Sequence, residues 1–255
     1  MNHNRLWENT THWHNRFLQQ ARWTAQVRSH LFESLHLSSA RRLLEVGCGT
    51  GVITADYQQR SGQKVYGVDI AVDLLYKAHN MSPECKYTCG DAFALPYSAR
   101  SFDACFCHFL LLWLPDPVAA LKEMKRILHT GAPVLVLAEP DYPARIDYPP
   151  GLTLLGEQQT FALEEQGANP SIGRSVAYLL HEAGFENIGS GLMGGQWGNP
   201  DSRQVESEAQ TLRIDLAGRL SDTKINDLLE ADRKAWQAGY RILFVPTFYA
   251  WGFTP

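Results

Sequence analysis

Between residues 41 and 57 the chain reads RRLLEVGCGTGVITADY: a short apolar run, three glycines at alternate positions, then a helix-like stretch. Gly47, Gly49 and Gly51 strip the turn of side chains. Glycines placed this way let the backbone turn tightly after a strand and approach a ligand closely. The helix that follows presents unpaired N–H groups and the positive end of its dipole. The stretch therefore demands a fold in which a buried strand runs into a helix across a site for something flat or anionic.

The same alternation continues. KVYGVDI is a second strand ending at Asp69, and VDLLYKAHN is a helix broken by Pro83. CKYTCGDAFALPY is a third strand that turns at Gly90 and Asp91, and FDACFCHFLLLWL contains a fourth. DPVAALKEMKRILH is a helix with Asp116 at the N-cap, Pro117 in the first turn and Gly131 as the stop. PVLVLAE is a fifth strand. Near-continuous apolar strands separated by helices imply parallel βαβ units with both sheet faces covered.

Outside this region the order changes. Residues 5–37 read as one helix, with Phe17, Leu18, Ala21, Ala25, Leu31, Phe32 and Leu35 at helical spacing. SVAYLLHEAGF is a helix closed by Gly184, and ENIGSGLMG is a strand. Residues 200–239 read as two polar helices. YRILFVPTFYAWGF is a last aromatic strand, which Pro246 assigns to an edge or a bulge. The expected fold class is α/β, a Rossmann-like doubly wound sheet within a single domain. Residues 40–192 and 240–255 form its core, 1–39 a helical lid and 193–239 a helical cap.

A net charge of −4 and a pI of about 6.1 leave no overall basic surface for a phosphate backbone, so no nucleic-acid partner is expected. FLLLWL falls far short of the roughly 18 apolar residues of a membrane span. The N-terminal MNHNRLWENTTHWHNRF lacks the apolar centre of a secretory leader. Cys48, Cys85, Cys89, Cys105 and Cys107 form neither C-x2-C pairs nor a set with histidines, so no metal is implied. They read as reduced thiols of a cytoplasmic protein. A thiol-dependent reaction at the Cys85/Cys89 loop is a minor alternative. Monomer and homodimer are both compatible with the sequence.

The acidic residues discriminate between ligands. The dinucleotide pattern G-x-G-x-x-G/A fails from Gly47, because Val52 stands at the third small position. Glu45, two residues before the first glycine, would repel a pyrophosphate. Asp69 ends the second strand, where a carboxylate can accept both hydroxyls of a ribose. Asp91 ends the third, where one can accept an exocyclic amine. A cationic ligand carrying a ribose and an amino-substituted base satisfies all three.

At these residues the chain resembles the class I S-adenosylmethionine-dependent methyltransferases, in a small-molecule branch similar to the ubiquinone and menaquinone biosynthesis methyltransferases. The matching blocks are LLEVGCGTG, VYGVDI, GDAFALPYSARSFDA, HFLLLWLPDP, LKEMKRILHTGAPVLVLAEPD and LLHEAGFENI, in the family's order over residues 43–188. The resemblance implies a seven-stranded sheet of order 3-2-1-4-5-7-6 with the last strand antiparallel. It implies S-adenosyl-L-methionine as cofactor and S-adenosyl-L-homocysteine as product. It also implies a cofactor set of Glu45, Gly47, Cys48, Gly49, Gly51, Asp69, Ile70, Asp91, Ala92, Phe93, His108 and Phe109. Within that set the glycine turn passes the methionine part, Asp69 holds the ribose, Asp91 and the Ala92 backbone hold the adenine, and His108 and Phe109 border the cofactor.

A methyl acceptor must be aligned with the donor, and it can also need to lose a proton. His108, at the end of the fourth strand, is the candidate base; Glu139, Asp141, Tyr142, His12 and His14 are further candidates. His12, Arg16, Gln20, Trp23, Trp113, Asp141, Tyr142 and Arg145 are the candidate substrate-pocket residues. EPDYPARIDYPP (139–150) either lines that pocket or is a rigid linker. Trp236, Tyr240, Phe248, Tyr249 and Trp251 suggest an apolar or aromatic small-molecule substrate. The fourth strand ends in HFLLLW and not in an N-P-P-Y type sequence, which argues against methylation of adenine or glutamine amino groups. The expected function is S-adenosylmethionine-dependent methyl transfer to a small organic molecule. The alternatives are a same-fold cyclase or isomerase that keeps the methyl, a nicotinamide-dependent oxidoreductase, and a macromolecule-binding regulator.

Overall fold

Five strands run parallel in the computed structural model, which describes residues 10–194 and 202–255. They are β1 (Arg42–Val46), β2 (Lys64–Asp69), β3 (Lys86–Cys89), β4 (Ala104–Cys107) and β5 (Pro133–Pro140). Two short strands, β6 (Ile146–Tyr148) and β8 (Ile242–Phe244), pair separately as an antiparallel ribbon. β7 (Glu186–Leu192) and β9 (Thr247–Phe253) complete the main sheet, whose order is β3-β2-β1-β4-β5-β9-β7. β9 is antiparallel to both of its neighbours. With the ribbon set aside, this is the seven-stranded order implied by the resemblance, with the last strand reversed.

Adjacent strand residues divide between two cores, as the strand period requires. Leu44, Cys105 and Val134 face α5 (Pro117–Ile127) and α7 (Val176–Glu182), where Leu121, Met124 and Leu180 are fully buried. Leu43, Phe106 and Leu135 face α3 (Val52–Ser61), whose Tyr57 stacks on Phe106 at 4.4 Å. At the start of α5 the Asp116 carboxylate accepts the Ala119 N–H at 2.9 Å, as the N-cap reading requires. α4 (Val72–Met81) ends before Pro83.

Three expectations are corrected. The helix expected over residues 5–37 is two helices, α1 (Thr10–Trp23) and α2 (Ala25–Ser34), with residues 5–9 outside the described set. They part at Thr24, whose hydroxyl donates back to the Gln20 carbonyl at 3.0 Å. Hydroxyl-to-backbone bonds of this kind compete with helix propagation. Second, a further helix, α6 (Thr153–Glu165), follows the EPDYPARIDYPP segment. Its buried stripe of Leu155, Gln159, Ala162 and Leu163 follows helical spacing. α6 packs against α8 (Ser202–Leu216) and α9 (Asp222–Gln237) in a third apolar cluster around Leu155, Leu212, Leu216, Ile225 and Leu229. Third, the edge position allowed for the terminal strand is overturned: β9 lies between β5 and β7, and its register shifts against both. Pro246 separates β8 from β9, so it takes no donor away from the ladder, and its carbonyl accepts the Asp141 N–H at 2.8 Å.

Candidate cofactor and substrate site

The chemistry gathers at the carboxyl ends of β1–β4, where an open parallel sheet binds its ligands. Gly47, Gly49 and Gly51 all have positive φ (73°, 51° and 76°). The amides of Gly47 and Cys48 both donate to the Val68 carbonyl, at 2.8 and 3.1 Å, which ties the turn to β2. A Cβ on Gly49 would stand 2.8 Å from the Phe17 ring of α1. The glycine thus admits a side chain from the helix above it. A Cβ on Gly51 would stand 2.3 Å from the Tyr87 hydroxyl, so this third glycine is needed for packing against β3.

The carboxylates stand at the strand ends in graded environments. Asp69 accepts the Gly49 N–H at 2.8 Å with one oxygen and the Ala71 N–H at 2.9 Å with the other. Burial raises its pKa, and the backbone donors pull the other way. Asp91 is exposed and accepts the Phe93 N–H at 2.9 Å. Glu45 is buried and accepts from the Thr54 hydroxyl. Burial pushes its pKa up to about 8, with the Thr54 bond opposing the shift. A carboxyl of this kind is largely protonated at neutral pH and ionises when a cation arrives.

A cavity of about 360 Å³ connects these groups. Of the expected cofactor residues, Glu45, Gly47, Cys48, Gly49, Asp69, Ile70, Asp91, Ala92, Phe93, His108 and Phe109 line it, and Gly51 does not. Of the expected substrate residues, Gln20 and Trp113 line it. His12 stands edge-on to Trp13 at 5.8 Å, and Trp13 is part of the cavity wall. Arg16 is buried and bonds to Gln19 at 3.0 Å and Glu208 of α8 at 2.8 Å, with its guanidinium 4.8 Å from the Trp23 ring. Trp23 itself is exposed.

The EPDYPARIDYPP segment is held by charge. Asp141 takes two bonds from Arg174, at 2.5 and 2.6 Å. Arg145 makes a bidentate pair with Asp147 at 2.6 and 3.0 Å and also reaches Gln159 at 2.6 Å. Arg241 bridges Asp147 and Asp232, at 2.6 Å each. Asp141, Tyr142 and Arg145 are absent from the wall of the cavity.

Glu139 and His108, both candidate bases, are already engaged. The buried Glu139 carboxylate accepts the N–H groups of Leu110, Leu111 and Leu112 at 2.9, 2.7 and 3.2 Å. It thereby caps the turn that aims Leu110 and Trp113 at the cavity. Burial still pushes it up to about 8. His108 Nε2 is 2.9 Å from the Thr24 hydroxyl. Burial, and then the charge of Arg28, push its pKa down to about 3. Among the described residues no group of three His, Cys, Asp or Glu side chains is arranged for a metal, and all five cysteines are free.

Residues missed from sequence are mainly in the roof. Phe17 of α1 and Leu110, Leu114 and Pro115 after β4 line the cavity, beside Trp13 of the expected lid segment. The signal for Phe17 was its spacing with Trp13 and Gln20, which puts all three on one helix face. His14 Nδ1, 2.9 Å from the Thr50 hydroxyl, pins this helix to the glycine turn.

The methyltransferase domain family matches residues 44–136. An uncharacterized methyltransferase of Schizosaccharomyces pombe is 30% identical over 224 residues, covering 79% of each chain. The demethylmenaquinone methyltransferase of Beutenbergia cavernae is 30% identical over 194 residues, covering 69% of this chain and 79% of that one. Among solved structures, the [4+2]-cyclase SpnF superposes with a TM-score of 0.58 at 20% identity, over 92% of this chain and 81% of its own. At that identity the likeness concerns the fold alone. The chain belongs to the class I S-adenosylmethionine-dependent methyltransferases.

The residues present fit that family's cofactor, S-adenosylmethionine. A glycine turn gives backbone access, and carboxylates stand at the ends of β1, β2 and β3 beside one cavity. Bound there, the cofactor supplies an electrophilic methyl group on a sulfonium.

Proposed function

We propose that this protein is a cytoplasmic enzyme that methylates a small organic, apolar or aromatic acceptor. The observation that carries the reading is the roofed cavity: acidic and glycine-lined on the sheet side, aromatic on the α1 side. Asp69 accepts the ribose hydroxyls, with Ile70 beside it. Asp91, with Ala92 and Phe93, takes the adenine. Glu45 faces the cationic methionine end. The turn of Gly47, Cys48 and Gly49 lets that end lie against the backbone, and Gly51 holds the turn on Tyr87.

The acceptor approaches from the side of Gln20 and Trp113, under the lid of α1. The aromatic walls exclude water and orient the acceptor, and proximity supplies much of the rate. Of the other expected pocket residues, His12 stands beside Trp13 of the wall, while Arg16, Asp141 and Arg145 are spent on Glu208, Arg174 and Asp147 and brace the surrounding helices. An acceptor whose nucleophile is already unprotonated needs no base, and the neutral imidazole of His108 is a weak one at its lowered pKa.

Calorimetric titration with S-adenosylmethionine, S-adenosylhomocysteine and NAD(H), each separately, tests the cofactor reading. Micromolar binding of the first two and none of the third is expected. A screen of small aromatic and isoprenoid acceptors for sustained S-adenosylhomocysteine release then tests methyl transfer. Turnover of an acceptor without that release would replace methyl transfer with a cyclase or isomerase reaction.

A further inference from the structure

The break between α1 and α2 is a junction of side chains. Thr24 is wholly buried there. Its hydroxyl meets the Gln20 carbonyl at 3.0 Å, the Ala21 carbonyl at 3.4 Å, His108 Nε2 at 2.9 Å and the Arg28 guanidinium. Arg28 is itself anchored by the Ala21 carbonyl at 2.6 Å and by Asp56 of α3 at 3.0 Å. His108 is the link in this set that comes from the end of β4, beside the cavity. The helix held here carries Gln20, Phe17 and Trp13, which form the roof.

We propose that His108 is a positioning residue: through Thr24 it fastens the α1–α2 junction to the end of β4 and so keeps Trp13, Phe17 and Gln20 closed over the cofactor. This assignment rests on the S-adenosylmethionine reading of the cavity and gives His108 a task other than proton abstraction. On the sheet side, His14 bonds to Thr50 near the start of α1, and Thr24 bonds to His108 just past its end. A threonine hydroxyl has one proton; with that proton on the Gln20 carbonyl, the tether is the Nε2–H of His108 donating to Thr24. Arg28, one turn along α2 and on the same hydroxyl, stands where a protonated imidazole would be repelled.

A double-mutant cycle on the full-length protein tests this without knowledge of the acceptor. Dissociation constants and off-rates for S-adenosylhomocysteine are measured for wild type, Thr24→Val, His108→Phe and the double variant. A lost hydrogen bond of ordinary strength predicts about a tenfold weaker affinity in each single variant, mostly as faster release. The double variant should be no worse than either single one. Thr24→Ser and His108→Gln, which keep an oxygen or nitrogen near the lost atom, should stay within about threefold of wild type. Ligand-free unfolding midpoints separate a misfolded variant from an untethered one, and the Ser and Gln variants carry the comparison if Val or Phe fails to fold. Wild-type affinity in both single variants, fully multiplicative losses, or no rescue by Ser and Gln would overturn the tether. No binding by wild type would overturn the cofactor reading and the tether with it.

Discussion

Asp69 separates a ribose acceptor from a mere turn residue, because its carboxylate has two backbone partners that alanine cannot replace. In Asp69→Ala the amides of Gly49 and Ala71 lose bonds of 2.8 and 2.9 Å. Bonds to a charged acceptor contribute about 1.5–3 kcal/mol each. Burial raises the pKa of Asp69, so removing the carboxylate also relieves a desolvation cost. The net loss of stability should be about 1–3 kcal/mol, a fall of roughly 2–10 °C in the unfolding midpoint of a chain this size. The ligand effect is separate. Two ribose hydroxyls donating to one carboxylate should contribute about 2–4 kcal/mol after non-additivity, so affinity for S-adenosylhomocysteine should fall roughly 30- to 1000-fold. Asp69→Asn keeps one acceptor oxygen but turns an NH2 toward the other donor, and it should fall between wild type and alanine. Calorimetry and thermal unfolding on the three proteins provide both readings. A lowered midpoint with affinity unchanged within threefold would show that Asp69 only braces the glycine turn, and the ribose assignment would fail.

Three other outcomes follow from the same geometry. Glu45 is held near pKa 8, so at pH 7 it carries about 0.9 of a proton, and binding a cationic methionine end should release most of it; titrations in buffers of different ionisation enthalpy measure the release, which Glu45→Gln should abolish. The raised pKa values of Glu45 and Glu139 mean that the folded state binds more protons than the unfolded one between about pH 4.5 and 8, so their contribution is full at low pH and lost as pH rises. His108, depressed to about 3, works oppositely and loses its contribution as pH falls below 6.5. Above pH 6.5 the carboxyls act alone of these three, so the unfolding midpoint should be lower at pH 8.5 than at 6.5, and Glu139→Gln should shrink that difference. The Arg16–Glu208 pair joins α1 to α8 with both side chains largely buried, so Glu208→Gln should lose about 3 kcal/mol, and a double change to Arg16→Met and Glu208→Leu should recover much of it; chemical denaturation of the three proteins measures both.

Much of the sheet side of the site was legible from residue order. LLEVGCGTG, VYGVDI and the Gly90-Asp91 turn are local patterns, and a parallel sheet must bring the ends of successive strands to one edge. Glu45, Asp69 and Asp91 therefore reach one cavity whatever else the chain does. The break at Thr24 was hidden because the apolar spacing of residues 17–35 continues across it, and the interruption comes from a hydroxyl that finds His108 and Arg28. α6 was hidden for a different reason: Gly156 and Gln159 interrupt its apolar stripe, and no side chain caps its start.

What the sequence determined by itself is the βαβ order, the glycine turn and the carboxylates at strand ends, because these depend on neighbours a few residues apart. Tertiary structure decided which side chains roof the cavity, which of two adjacent glycines faces it, and whether a titratable group is available. Gly49 and Gly51 are equivalent in the motif, yet Phe17 approaches one and Tyr87 the other. His108 has the position expected of a base, but burial and Arg28 lower its pKa, and its Nε2 is tied to Thr24, 84 residues earlier in the chain. Burial and hydrogen-bond partnership are set by groups distant in sequence, and those two quantities govern whether a carboxyl or an imidazole carries charge.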